Sequence, residues 1–439
     1  MKKLTKKKKK NILMIVFWFV ICLIFFALST LLVLWAAGYK YNFATKKFHK
    51  TGLIYLVSDP AYAKVYLDGK LKTNKTPTTI SYLAPGNYQV SIKKEGYSSW
   101  SKDIKVVAGK VKRYDNIILF LAKSQDNSTE IAQKVTNFSL APNKNKVLIW
   151  GEKTIIYDLK NHKIINTISL SNIKFSEWSP DSKKILLYGG KDYYVYDLAV
   201  NKASRIKLTD KSNIKKIAWH NGDSNKLFLL RKVNLYLIDL AKTTTLLASN
   251  ISNLAVAENG LIYLAKIDHQ YFLEKSDFNL KNNQRIINLK TDNYQIFAQD
   301  SDYFLKNSDG TFYLVSGNKL KKINSQVSLI VFSNDEGFWG FGKKTKILYK
   351  TALDEIWSYD PKEQTNDLIF RDSKSIQKIA WYSDLAHVLF LTENKIKVVE
   401  LDGTNEITIA HGLNFDLVNE KELIYLDLNK TVKIIEIRK

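Results

Sequence analysis

One pattern, a turn, an apolar run and an Asp-Leu pair, occurs three times between residues 140 and 240. The Asp-Leu pairs begin at Asp158, Asp197 and Asp239, which are 39 and 42 residues apart. The apolar residues alternate or form runs of four to six, without the 3.6-residue period of a helix. A repeat of this length with four short strands is typical of a β-propeller blade. The pattern therefore predicts an all-β propeller and excludes a helical repeat.

Five looser units follow the three regular ones. We predict them near residues 251–289, 294–323, 327–370, 376–410 and 413–437. Eight blades are therefore the first expectation and seven blades the second. The last unit offers only three strand-like runs. A strand near residues 131–135 or earlier is expected to complete this blade and close the ring.

The turn of the second regular unit carries a family resemblance. Trp178-Ser179-Pro180-Asp181, followed by a lysine pair and an apolar strand, resembles the TolB-type propellers. The resemblance extends to two or three of the units. It implies a propeller fold, but no activity follows from it, because propellers include enzymes, receptors and scaffolds.

A run of 26 residues without a charge, 12–37, lies near the start of the chain. As a helix it would be about 39 Å long, more than the roughly 30 Å of a bilayer core. Five consecutive lysines at 6–10 precede the run, whereas the lysines after it are more dispersed: Lys40, Lys46, Lys47 and Lys50. The positive-inside rule then predicts that residues 1–11 form a cytoplasmic tail and that the rest of the chain is extracytoplasmic.

A cleaved signal peptide is the alternative interpretation of this run. Its apolar region would be only about 7 to 15 residues long. The small-residue site at Ala36-Ala37 is preceded by Trp35, where cleavage favours a small side chain. We therefore predict an uncleaved signal-anchor helix at 12–38, with Trp35, Tyr39 and Tyr41 at the membrane interface.

Residues 51–123 consist of short strand-like runs separated by turns, which indicates a small β-sandwich. The segment contains, in order, Ser58-Asp59-Pro60, an Ala63–Lys70 run ending in Asp68-Gly69-Lys70, Thr76-Pro77, Ala84-Pro85-Gly86 and Glu95-Gly96-Tyr97. This string of turns resembles a PEGA domain. The tetrapeptide that names the family is Pro60-Ala61-Tyr62-Ala63 here. The resemblance implies a module of surface-layer and envelope proteins without catalytic residues. Residues 124–130 are predicted as a linker and 131–439 as the propeller.

Cysteine content and charge limit the chemistry further. Cys22, in the apolar run, is the only cysteine, which excludes disulfides, cysteine-based zinc sites and thiol catalysis. The net charge is +25, of which the first ten residues carry seven lysines. The remaining excess of about 18 positive charges suits anionic partners such as headgroups or wall polymers, but also a surface that is basic for solubility alone.

No catalytic, cofactor or metal-binding residue is predicted, and the binding residues remain unassigned. The six histidines are scattered, and Gly189-Gly190, Gly340-Phe341-Gly342 and Ser308-Asp309-Gly310 are interpreted as turns. The recurring Asp158, Asp197 and Asp239 are interpreted as turn caps. Six tryptophans are predicted in the blade cores: Trp150, Trp178, Trp219, Trp339, Trp357 and Trp381. The candidates for the inner strands are Asn137, Glu177, Lys215, Asn253 and Asp416.

Three functional hypotheses follow. The first is a membrane-anchored binding or scaffolding protein of the cell envelope, whose propeller recognises an anionic wall polymer, another carbohydrate or a protein. The second is an enzyme that acts on envelope glycans in the propeller channel, which needs paired carboxylates there. The third, nucleic-acid binding, is disfavoured by the predicted side of the membrane. The oligomeric state is not predicted.

Overall fold

The structure is a computed structural model, and it describes residues 6–439 except 43–46, 123–126, 171, 209, 242, 300 and 334–345. The predictions for Trp339 and for the turn at 340–342 lie outside the described residues. The chain divides into two compact units, Met1–Ala122 and Lys123–Lys439.

The first unit begins with one long helix, α1 (Lys6–Ala36). Its segment Leu13–Ala36 has a mean hydropathy of 2.8 and is the one helix in the described part of the chain that is long and apolar enough to cross a membrane. The helix contains no proline or glycine and ends just before Gly38, whose φ of 82° provides the left-handed residue of a common helix stop.

Nine strands follow the helix in the described part of the first unit. Their bounds are β1 Tyr39–Asn42, β2 Lys47–Lys50, β3 Gly52–Asp59, β4 Lys64–Leu67, β5 Lys70–Thr73, β6 Thr78–Leu83, β7 Gly86–Lys93, β8 Trp100–Val106 and β9 Val111–Ile118. β1 and β2 form an antiparallel hairpin. β3 lies between β6 and the parallel β9, and the second sheet has the order β5-β4-β7-β8.

The two larger sheets of this unit pack as the predicted small sandwich. Inward-facing residues of β3 alternate with partly exposed ones, and Ile54, Leu56, Val90, Ile92 and Trp100 meet in one apolar core. The Asp68-Gly69 turn joins β4 to β5, and both of its residues have positive φ, as a two-residue hairpin turn requires. Neither β5 nor the β1–β2 hairpin was predicted from the sequence.

In the second unit the described residues form eight consecutive four-stranded sheets. Sheet 1 contains β11 Val135–Leu140, β12 Lys146–Gly151, β13 Thr154–Asp158 and β14 Lys163–Ile168; sheet 2 contains β15 Ile173–Trp178, β16 Lys184–Gly189, β17 Asp192–Asp197 and β18 Lys202–Arg205. Sheet 3 contains β19 Ile214–Trp219, β20 Lys226–Arg231, β21 Asn234–Asp239 and β22 Thr244–Ala248; sheet 4 contains β23 Ile251–Ala257, β24 Gly260–Ile267, β25 Gln270–Ser276 and β26 Gln284–Leu289.

The remaining four sheets have the same meander. Sheet 5 contains β27 Tyr294–Gln299, β28 Asp302–Asn307, β29 Phe312–Ser316 and β30 Lys319–Asn324; sheet 6 contains β31 Val327–Phe332, β32 Ile347–Thr351, β33 Glu355–Asp360 and β34 Thr365–Arg371. Sheet 7 contains β35 Ile376–Trp381, β36 His387–Thr392, β37 Lys395–Glu400 and β38 Ile407–His411; sheet 8 contains β39 Asn414–Leu417, β40 Glu422–Leu426, β41 Val432–Glu436 and, from the start of the unit, β10 Ser128–Ala132.

The ring closes where the last sheet takes up the first strand of the unit. β10 pairs antiparallel with β41, so sheet 8 is built from both ends of the propeller sequence. A strand that closes the ring was predicted near residues 131–135 or earlier, and β10 is that strand. The predicted linker at 124–130 is wrong at its C-terminal end. Residues 128–130 lie in β10 because their backbone groups pair with β41 and complete the sheet, and residues 124–126 lie outside the described residues.

The propeller core is divided between neighbouring sheets. In the described part of the chain, seven apolar clusters each combine residues from two adjacent sheets, and one of them joins sheet 8 to sheet 1. Trp357 packs at the edge of one apolar cluster. Four other tryptophans predicted in the blade cores are buried: Trp150, Trp178, Trp219 and Trp381. The indole N–H groups of Trp178 and Trp219 donate to carbonyls of the preceding sheet, 3.0 and 3.1 Å away.

The recurring aspartates cap turns, as predicted. Asp158, Asp197 and Asp239 each end the third strand of their sheet and accept a backbone N–H from two or three residues further on, at 2.8 to 3.0 Å. This side-chain acceptor replaces the ladder partner that the chain loses when it leaves the strand.

Candidate binding site at the propeller mouth

The inner strand of each sheet, which is the first strand in sheets 1 to 7 and β39 in sheet 8, lies at the propeller axis. In most sheets this strand begins with an irregularity. In sheets 1, 2, 3, 4, 6 and 7 the pairing register shifts across the second residue of this inner strand. A β-bulge of this kind leaves one residue out of the ladder. The bulge residues are Thr136, Lys174, Lys215, Ser252, Ser328 and Gln377. We call the surface formed by the first three residues of the inner strands the mouth.

Four lysines lie at the mouth. Lys174 and Lys215 are exposed bulge residues, and Lys216 and Lys378 follow the bulges of sheets 3 and 7. The Nζ atom of Lys215 lies 3.3 Å from the carbonyl oxygen of Ser252 on the next inner strand. No salt bridge joins Lys174, Lys215 or Lys216 to a carboxylate within the described ranges. The mouth therefore presents cationic groups that are available to an anion.

Hydrogen bonds connect the inner strands of neighbouring sheets around the axis. Lys378 Nζ donates to Asn414 Oδ1 at 3.0 Å, and Asn414 Nδ2 donates to Asn137 Oδ1 at 2.7 Å, across the closure between sheets 8 and 1. On the other side, Lys216 donates to the carbonyl oxygen of Leu254 at 3.0 Å, and Asn253 donates to that of Tyr294 at 2.8 Å. The three asparagines each also accept the N–H of the following residue. These bonds fix the amides and the two lysines in place.

Two carboxylates, Glu177 of sheet 2 and Asp416 of sheet 8, occupy corresponding positions, each next to the last residue of its inner strand. Burial raises the pKa of Glu177 to about 7, and the ammonium of Lys216 opposes this shift. Burial also lowers the pKa of Lys216, and Glu177 counteracts that change. Asp416 accepts a hydrogen bond from Lys378 at 2.8 Å. Glu177 is therefore able to hold or release a proton near neutral pH, whereas Asp416 is tied to a cation.

A pocket of about 630 Å³ opens at the mouth between sheets 4, 5 and 6. Asn253, Tyr294, Lys306 and Ser328 line it, together with the Ser308-Asp309-Gly310 turn. Asp309 accepts the N–H and the hydroxyl of Thr311, at 2.7 and 2.6 Å, and Gly310 has a φ of 84°. The hairpin-turn interpretation of these residues is therefore confirmed, and the turn forms one wall of the pocket.

A second cavity, of about 760 Å³, lies away from the mouth, between the outer strands of sheets 2 and 3. Its arginines already have acidic partners. Arg205 pairs with Asp192 at 2.9 Å, and Arg231 lies 3.6 Å from Asp210. We prefer the mouth as the candidate site because its lysines on the bulges lack such partners.

The sequence analysis located part of this site. All five inner-strand candidates lie on inner strands: Asn137, Glu177, Lys215, Asn253 and Asp416. Lys216 and Lys378 were not predicted as site residues. Each follows a bulge residue, and only the bulge makes the residue after it face the mouth. Asp384 and His387, which the sequence analysis did not pair, form a buried contact of 2.7 Å in sheet 7. Within the described ranges, no group of three or more metal-binding side chains occurs.

Comparison with known proteins supports both parts of the fold. Residues 51–117 match the PEGA domain. No curated protein matches the chain. Among solved structures, the computationally designed Ika8 protein is similar at 12% identity and a TM-score of 0.50, over 71% of this chain and 98% of that one. A eukaryotic initiation factor is similar at 10% identity and a TM-score of 0.50, over 72% and 91%.

The WD40 domain of SCAP from fission yeast is also similar, at 9% identity and a TM-score of 0.47, over 70% of this chain and 93% of that domain. Identities this low reflect the fold alone. The chain thus combines an apolar N-terminal helix, a PEGA domain and a β-propeller. This combination fits a membrane-anchored binding or scaffolding protein.

Proposed function

We propose that this protein is anchored in the cell membrane by α1, with its N-terminus in the cytoplasm, and binds an anionic envelope polymer at the propeller mouth. The orientation is supported by the five consecutive lysines that precede the apolar segment. A binding role is supported by the PEGA match, because that resemblance implies an envelope module without catalytic residues.

The observation that carries the choice of ligand is the set of lysines on the inner-strand bulges. Lys174 and Lys215 project from neighbouring sheets without acidic partners in the described part of the chain. Amide and hydroxyl side chains, among them Asn137, Asn253 and Ser328, lie at the same end of the inner strands. A polymer with repeated phosphate or carboxylate groups matches this mixture of cations and hydrogen-bond donors.

The binding test uses the full-length protein in detergent and an anionic cell-wall glycan fraction. We expect binding that weakens with salt, and a loss of affinity in the double variant Lys174→Gln/Lys215→Gln. The matched control is Lys163→Gln/Lys202→Gln, which removes the same charge from exposed outer-strand positions in sheets 1 and 2. Equal loss in both variants would contradict a role for the mouth, and absence of any salt-sensitive binding would contradict the polymer.

An enzyme acting on envelope glycans is a second candidate, favoured by the pKa of about 7 at Glu177. A carboxyl group that stays protonated near neutral pH suits general-acid catalysis, and Asp416 at the corresponding position of sheet 8 would supply the second carboxylate. Release of reducing ends from the same glycan fraction, abolished in Glu177→Gln, would favour this candidate. Binding without turnover would exclude it for that substrate.

A further inference from the structure

The end of the apolar helix is joined directly to the PEGA domain. The carbonyl oxygen of Gly38 accepts both the N–H of Thr51, at 2.8 Å, and its hydroxyl, at 2.6 Å. Between these two residues in the chain, β1 and β2 pair with each other, and the first strand of the sandwich begins next to the helix terminus. This arrangement sets the sandwich beside the end of the apolar segment rather than on a long tether.

An aromatic contact also joins one edge of the sandwich to the last turn of α1. The ring of Tyr82, at the end of β6, stacks on Trp35 with centroids 6.1 Å apart and an interplanar angle of 12°. Both rings remain partly exposed, Trp35 by 60% and Tyr82 by 41%. On the hairpin, exposed Tyr41 and Phe48 form a further edge-to-face pair at 5.1 Å. Tryptophan and tyrosine concentrate at the headgroup level of membranes, which is where these rings would lie.

A polar groove opens beside this contact. It has a volume of about 580 Å³ and lies between the hairpin and strands β4 to β6. It is lined by three lysines, Lys40, Lys70 and Lys72, and by hydroxyl-bearing side chains that include Thr78, Thr79 and Ser81. Its one carboxylate, Asp68, accepts the N–H of Gln89 at 2.9 Å. No salt bridge engages the three lysines among the residues that the structure describes.

We propose that this groove binds the phosphate headgroup of an anionic phospholipid in the membrane that α1 crosses. The position of the groove and the charge of its lysines indicate this ligand. The groove borders Tyr82, which stacks on the last turn of the apolar helix, and Lys40 is four residues beyond the end of that helix. Three lysines and several hydroxyl donors match the charge and the acceptor oxygens of a phosphodiester. The proposal rests on the proposed membrane anchoring.

The test compares hydrogen exchange of the full-length protein in nanodiscs of phosphatidylcholine alone and of phosphatidylcholine mixed with phosphatidylglycerol. A lysine near an anionic surface favours binding by a factor of roughly five, so one engaged lysine is enough for a measurable effect. We expect β5 and β6 to exchange several-fold more slowly in the phosphatidylglycerol discs. Inorganic phosphate added to phosphatidylcholine discs is expected not to reproduce this protection.

The variant Lys40→Gln/Lys70→Gln/Lys72→Gln is expected to lose the difference between the two lipids. The matched control, Lys64→Gln/Lys105→Gln/Lys112→Gln, removes three exposed charges that do not line the groove and is expected to keep the difference. Equal exchange of β5 and β6 in both lipids would overturn the inference, as would protection by free phosphate alone. Failure of the protein to enter either nanodisc would instead contradict the anchoring by α1.

Discussion

The PEGA sandwich and the propeller are both made of short antiparallel strands, but they distribute their apolar residues differently. The sandwich places its buried side chains in one cluster between two sheets. The described part of the propeller divides them among seven clusters, each shared by two neighbouring sheets. Loss of a buried sandwich side chain is therefore expected to affect the whole domain. Loss of a buried propeller side chain is expected to affect the packing between two neighbouring sheets.

The largest expected effect is the loss of the sandwich in Trp100→Ala. Trp100 is 3% exposed and packs edge-on against Tyr114 at 5.6 Å. Truncation of a buried tryptophan costs about 3 to 5 kcal/mol, which is a large part of the stability of a domain this small. Hydrogen exchange should become fast in strands β3 to β9 and stay slow in the strands of the eight propeller sheets.

The matching change in the propeller is Trp219→Ala, in the cluster shared by sheets 2 and 3. It should lower the stability of the propeller and leave exchange in the sandwich unchanged. If either variant loosens both regions equally, the two regions do not have independent cores.

A second, smaller effect concerns the buried glutamate of the propeller. Glu177 ionises near 4.5 in the unfolded chain and near 7 in the folded one, so folding becomes less favourable as the pH rises from 4.5 to 7. Glu177→Gln keeps the neutral form. Its free energy of unfolding should exceed that of the original protein by about 3 kcal/mol at pH 8 and equal it at pH 4.

Chemical denaturation of the propeller at the two pH values measures this difference. Glu258→Gln is a suitable control, because Glu258 is an exposed turn residue between β23 and β24. A stabilisation at pH 8 that persists at pH 4 would show that the amide acts through packing rather than through the proton.

The smallest effect compares one turn of each region. Asp239→Ala in the propeller and Asp68→Ala in the sandwich each remove an acceptor of one backbone N–H, from Ala241 at 3.0 Å and from Gln89 at 2.9 Å. Each should lower the free energy of unfolding of its own region by about 1 kcal/mol, and the asparagine variants should lose less. A much larger loss at one site would show that its aspartate does more than accept that one N–H.

Much of the fold could be predicted because the sequence repeats its own turns. The Asp-Leu pairs define the ends of β13, β17 and β21, and the five looser units were located within one or two residues of the observed sheets. The Asp68-Gly69 turn was equally clear, since two positive φ values in a row favour this pair.

The remaining features depend on partners that are distant in the sequence. β10 is polar at Ser128-Thr129-Glu130 and becomes a strand only because β41 supplies its hydrogen bonds. β5 is similarly exposed and charged. At the mouth, the bulges decide that Lys216 and Lys378 face the axis, and nothing local in the sequence marks a bulge.

The central claim is that the apolar helix holds both β regions outside the cytoplasm. Protease treatment of intact cells that express the full-length protein tests it most directly. The account predicts that peptides from residues 135–437 are released before lysis, while the lysine-rich N-terminus remains protected in the membrane fraction. Propeller peptides that appear only after lysis, or a protein recovered in the soluble fraction, would contradict it.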